Sequence, residues 1–177
     1  DDPDYFVAAV LSEIMGGGFG SRLNEEVREK RGLAYGVYTY LNPFDRSGLF
    51  LGGVATDNAR VSESLAIIQS EWAKMAAEGP TQEELDLAKS QVKGGFWLRL
   101  ENSGSIAGTL VAIQRLDLGK DYLENRDGLV EAVTLERAKA MAKTLFQPEN
   151  LTIGVIGKPA NVEATLPAPP IPGREDG

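Results

Sequence analysis

The stretch IMGGGFGSRLNEEVREKRGLAYGVYTYL, Ile14 to Leu41, decides how this chain is read. Three glycines stand in a row, Gly16, Gly17 and Gly18, and Gly20 follows Phe19. Upstream, Phe6, Val7, Val10, Leu11 and Ile14 recur at helical spacing behind Pro3, so a helix is expected from about Pro3 to Met15, stopped at Gly16. Downstream, Ser21 is placed to cap a short second helix reaching roughly Lys30. Its basic last turn (Arg28, Lys30, Arg31) suits the helix dipole, and Gly32 ends it. Tyr35 to Leu41 then alternates, with Tyr35, Val37, Thr39 and Leu41 on one face and Tyr38 and Tyr40 on the other. With a second strand over Gly48 to Thr56, this predicts an antiparallel hairpin turning at Asn42 to Ser47.

Beyond the hairpin the pattern is helical. Val61, Leu65, Ile68, Trp72 and Met75 mark one buried stripe, which ends at Gly79-Pro80. Thr81 and Glu84 form a capping box for a helix carrying Leu85, Ala88, Val92 and Phe96, in which Gly94-Gly95 predicts close packing or a kink. Further helices are expected over 105–118, 122–130 and 135–146. LTIGVIG, Leu151 to Gly157, reads as a final strand, and the proline-rich residues 159–177 read as an extended tail. The expected fold is α+β, a two-layer sandwich with helices on one face of an antiparallel sheet, in one domain over residues 1–158. Three strands are few for so many helices, and a strand upstream of Asp1 is expected to complete the sheet.

Composition closes several routes. The 177 residues contain 18 Lys and Arg against 26 Asp and Glu, a formal charge of −8, which argues against nucleic acid as the main partner. No apolar run approaches the roughly 18 residues a membrane helix needs. There is no cysteine and no histidine. Disulfides, thiolate or imidazole metal ligands and a Ser-His-Asp triad are therefore excluded, and no metal site is assigned to this chain. Zero cysteines fit cytoplasm and periplasm equally, so the compartment stays open. Chemistry here rests on Arg, Tyr, Lys, Asp, Glu or the backbone.

The glycine turn is no phosphate cradle. A P-loop needs Lys and then Ser or Thr after its last glycine, whereas Gly20 is followed by Ser21-Arg22, and a helix precedes the turn where both nucleotide motifs require a strand. Two readings remain open on composition. The glycines either cap a helix and let the chain turn, or leave backbone groups bare for an extended peptide to approach. Arg28 and Tyr35 are similarly two-sided. They read as a dipole-compensating surface residue and a half-buried strand residue, or as two donors converging on a substrate carbonyl or oxyanion.

The segments LSEIMGGGFGSRLNEEVREKRGLAYGVYTY, PTQEELDLAKSQVKGGFWLRLENSGSIAGTL and FQPENLTIGVIGKP, within residues 4 to 158, closely resemble the C-terminal, non-metal half of bacterial zinc peptidases of the pitrilysin and mitochondrial-processing-peptidase (insulinase-like) family. That family builds two similar α+β halves into a clamshell around an unfolded peptide. One half carries the inverted zinc motif H-x-x-E-H. The other supplies an Arg and a Tyr, seven residues apart, that reach the substrate. The resemblance implies that Arg28 and Tyr35 are this pair, with catalytic roles, and that Gly16, Gly17, Gly18, Phe19 and Gly20 form the substrate-contacting turn. It implies zinc in a partner half or subunit, an extended peptide as substrate, and no peptidase activity from this chain alone. Independently of the resemblance, unpaired sheet edges and the apolar stripes of the later helices leave open self-pairing into a homo-oligomer. The alternative is a non-catalytic structural or assembly subunit of the same fold, as in respiratory-chain core proteins; an intact Arg/Tyr pair favours the enzyme reading.

Overall fold

A computed structural model describes residues 4–44 and 47–166. The first helix, α1 (Tyr5–Gly16), buries Val7, Val10, Leu11, Ile14 and Met15, the stripe its spacing predicts. It lies on the inner face of a hairpin made of β1 (Ala34–Pro43) and β2 (Gly48–Thr56). The contact is polar as well as apolar. The Thr39 hydroxyl donates to the Ser12 carbonyl at 2.8 Å, and the Ser12 hydroxyl donates to Thr39 Oγ1 at 3.3 Å, so both buried hydroxyls are satisfied.

Five more helices follow, α2 (Val61–Glu78), α3 (Gln82–Leu98), α4 (Ser103–Arg115), α5 (Tyr122–Glu131) and α6 (Leu135–Leu145), and of these α3, α5 and α6 pack on α1. α1 is the central element, packing on α3 and α6 as well as on β1. Phe50 of β2, Trp72 of α2 and Phe146 after α6 meet edge-to-face with centroids 4.7 to 5.4 Å apart, an arrangement aromatic quadrupoles favour. Thr81 and Glu84 form the reciprocal capping box that opens α3. The α+β assignment and the helices-on-one-face arrangement hold.

Several local expectations do not. LTIGVIG is no strand: among the described residues the sheet has two strands, β1 and β2, and Leu151 to Gly157 has no ladder partner. Its apolar composition suits a strand, but a strand needs a neighbour for its N–H and C=O groups. Instead the chain just beyond this segment is tied to one residue, Asn58, whose side-chain Oδ1 accepts from Lys158 N at 3.1 Å while its backbone carbonyl accepts from Ala160 N at 2.9 Å. Gly94 and Gly95 sit in an uninterrupted helix, where an added methyl would meet nothing within 4 Å, so they mark no close packing. Of the expected tail, residues 167–177 lie outside the described residues, as do Pro3 and the turn residues 45–46.

Candidate functional site

The glycine turn leaves α1 at the sheet, and its glycines do different jobs. A Cβ at Gly16 would lie 2.8 Å from the Thr39 backbone nitrogen and 3.0 Å from its side chain, so only glycine lets the helix end rest on β1. A Cβ at Gly17 would run into the Glu13 carboxylate. Gly20 has φ +83°, the left-handed region, whereas Gly18 has ordinary space around it. Ser21 does not cap the next helix as expected. Its hydroxyl turns back and donates to the Gly18 carbonyl at 2.6 Å, closing the turn on itself. Gln91 of α3 donates to the Phe19 carbonyl at 3.2 Å, fastening the tip. Burial raises the Glu13 carboxyl above its ordinary value, and the charge of Arg99 offsets part of that rise.

After Arg22-Leu23 the chain forms a π-helical segment, Asn24–Glu29, in place of the regular helix expected, with Lys30 N bonded to the Glu25 carbonyl at 2.9 Å. Arg28 stands in the last turn of this segment, and π-helical turns are frequent at functional sites. Gly32, at φ +55°, ends the segment, and Arg60 donates to the carbonyls of Gly32 at 2.7 Å and Arg31 at 3.1 Å. The turn between Arg28 and Tyr35 is therefore fastened from the far side of the hairpin.

Tyr35 does not share a face with Val37 and Thr39. Ala34 pairs with Thr56 and Gly36 with Ala55, so Tyr35 is the extra residue of a β-bulge. A bulge breaks the period of two and re-aims a side chain. Tyr35 is accordingly 92% exposed, while Val37 and Thr39 are buried.

These two local irregularities bring the site together. The Arg28 guanidinium carbon lies 5.8 Å from the centre of the Tyr35 ring and 5.2 Å from that of Phe19, the exposed tip of the glycine turn. Both distances fall within the roughly 6 Å range of cation–π attraction. The neighbouring bases are engaged elsewhere. Lys30 binds Glu26 at 2.7 Å and Glu25 at 3.0 Å, and Arg31 binds Glu26, whose carboxyl these hydrogen bonds, Lys30 first, hold down to about 2. Arg28 differs. Among the described residues its guanidinium makes no hydrogen bond, and its nearest carboxylate oxygen is Glu29 Oε1 at 3.6 Å. A fork of donors that makes no hydrogen bond among the described residues, with a phenol beside the glycine turn, can receive an oxyanion, a carboxylate or a peptide carbonyl.

Phe19, Arg28, Tyr35 and Gly16 to Gly20 therefore lie in one region, as their shared segment predicts. Sequence reasoning missed Gln91 and Arg60, whose tethering roles depend on contacts 72 and 28 positions away. It also missed Arg22, which anchors the turn to α3.

Residues 1–92 match the family described as "Peptidase M16 inactive domain". The chain belongs to this family. Relatives described as zinc proteases match it as well. An uncharacterized zinc protease of Mycobacterium leprae is 35% identical over 160 residues, covering 90% of this chain and 35% of that protein. Another, YmxG of Bacillus subtilis, is 33% identical over 86% of this chain and 37% of its own length. The crystal structure of a peptidase M16 inactive domain from Pseudomonas fluorescens superposes with a TM-score of 0.73 at 36% identity, covering 84% of this chain and 35% of that one. The chain thus spans about a third of the length of the relatives it matches. The sequence holds no His or Cys, and among the described residues no three carboxylates are grouped to hold a metal. Among the described residues no helix is long and apolar enough to cross a membrane.

Proposed function

We propose that this chain is the substrate-clamping, non-metal half of a zinc metalloendopeptidase that cleaves unfolded peptides. The observation that carries this reading is the convergence of Arg28 and Tyr35 beside the glycine turn, with the Arg28 guanidinium free of any hydrogen bond among the described residues. A purely structural domain gains little from leaving such a donor with only a long ion pair to an exposed Glu29, while Lys30 and Arg31 are hydrogen-bonded to carboxylates.

The residues here do not suit zinc, so the metal and the water it activates belong to a partner half or subunit. This chain's part is recognition and hydrogen bonding. An extended peptide lies along the open side of the glycine turn, at Gly17 to Gly20, since Gly16 is buried against Thr39. Arg28 and Tyr35 donate to its carbonyl oxygen, and those bonds strengthen as negative charge gathers there. The partner half docks on the side bearing Phe19 and Tyr35.

The test is reconstitution. Hydrolysis of an unfolded peptide is measured for the zinc-binding half with and without this chain. The clamp reading expects turnover only with both present. Equal turnover from the zinc half alone would leave this chain the role of an assembly subunit.

A further inference from the structure

We propose that Phe19 is a positioning residue: its ring, together with that of Tyr35, holds the Arg28 guanidinium where the peptide carbonyl is received. This rests on the clamp reading and adds to it a side-chain role within the glycine turn, beyond the close backbone approach that the glycines allow.

Phe19 is 72% exposed, an unusual setting for a phenylalanine at the tip of a turn. It is not left there by a slack loop. Gln91 holds its carbonyl, Ser21 closes the turn on the Gly18 carbonyl, and Gly20 takes the left-handed conformation that aims the tip outward. Held this way, the ring meets the guanidinium at 5.2 Å, with Tyr35 at 5.8 Å. Arg28 needs such help. Its side chain is long and rotatable, it has no hydrogen bond among the described residues, and the Glu29 carboxylate at 3.6 Å is exposed. Two aromatic faces fix the cation while leaving all its N–H donors unused, which a carboxylate partner could not do. Phe19 thus keeps Arg28 in place without competing with the substrate.

The consequence is specific to ring chemistry. In the full peptidase, Phe19→Ala and Phe19→Leu should lower kcat about two- to fivefold, the span expected of an exposed cation–π contact. Phe19→Trp should restore turnover, because indole offers the best face for a cation. The loss should vanish in an Arg28→Ala background, since Phe19 acts through Arg28. The thermal midpoint should be unchanged throughout, because the ring covers no core residue.

The outcomes separate the two claims. Full turnover in Arg28→Ala alone overturns the clamp reading itself. An impaired Arg28→Ala with unimpaired Phe19→Leu overturns only the positioning role. That role is equally overturned if Phe19→Leu costs as much without Arg28 as with it, which would make Phe19 a direct peptide contact, or if Phe19→Trp fails to restore kcat.

Discussion

Arg22 and Glu84 are joined by two parallel hydrogen bonds, Nε to Oε1 at 2.6 Å and Nη2 to Oε2 at 2.8 Å, across 62 positions of sequence. The same Nη2 donates to the Gly79 carbonyl at 3.0 Å, and Glu84 Oε2 also accepts from the Thr81 N–H at 2.7 Å. One arginine thus locks the end of the glycine turn to the start of α3. Burial pushes the Glu84 carboxyl up, but the bonds from Arg22 and Thr81 outweigh it and leave it below its ordinary value. The Glu84 hydrogen bond moves Arg22 upward. Arg22→Ala should cost about 2 kcal/mol, between the values for exposed and fully buried pairs. Arg22→Lys should recover less than half of that, because an ammonium cannot make the two-point contact. Urea unfolding of the three proteins checks both.

The glycine run should not be uniformly sensitive. Gly16→Ala places a methyl 2.8 Å from the Thr39 backbone nitrogen and strains the joint between α1 and β1, at a cost of about 1–3 kcal/mol. Gly18→Ala meets only a Glu13 oxygen at 3.7 Å and should be close to neutral. Thermal unfolding of the pair separates a packing requirement from a general need for flexibility. Equal losses in both would contradict the assignment.

Glu13 gives a pH dependence of defined sign. Burial raises its carboxyl pKa above the ordinary 4.5, so the folded chain holds that proton more tightly than the unfolded one. Its contribution to stability is complete below about pH 4.5 and is lost as the pH rises through the raised value. Glu13→Gln mimics the protonated form at every pH. It should melt higher than the parent at pH 7, and the difference should close as the pH falls toward 4. A midpoint difference independent of pH would contradict this.

Much of this was legible in the sequence. Periodicity located α1 to α3 and the hairpin, and the Gly-Ser-Arg-Leu run with Arg28 and Tyr35 pointed to the region where the side chains meet. What escaped depends on long-range or non-periodic structure. Alternation put Tyr35 on the same face as Val37 and Thr39 because a bulge leaves no mark on a pattern of period two; the pairing of Ala34 and Gly36 with adjacent partners reveals it. The π-helical turn at Arg28 is hidden likewise, since its residues read as ordinary helix formers. LTIGVIG misled because apolar composition reports what a segment can pair with, not whether a partner is there.

Apolar surface on the helical layer makes a further prediction. α4 buries none of its residues, and Leu110 and Val111 are exposed alongside Trp97 and Leu98 of α3. Ile153 and Val155 are partly open, and Ile156 is fully exposed. Large apolar side chains left open in this number favour cover by another surface. The chain alone at micromolar concentration should sediment above its monomer mass and brighten a hydrophobic dye. A clean monomer that leaves the dye dark would show that α4 needs no partner.

The central claim is that Arg28 and Tyr35 act on the peptide rather than on the fold. The direct measurement is single-turnover peptide hydrolysis by the full peptidase carrying Arg28→Ala or Tyr35→Phe, with thermal midpoints measured in parallel. Each lost donor should lower turnover on the order of 100-fold with the midpoint unchanged, because both side chains lie outside the core. Unaltered turnover in both variants, or loss of turnover tracking a fallen midpoint, would contradict it.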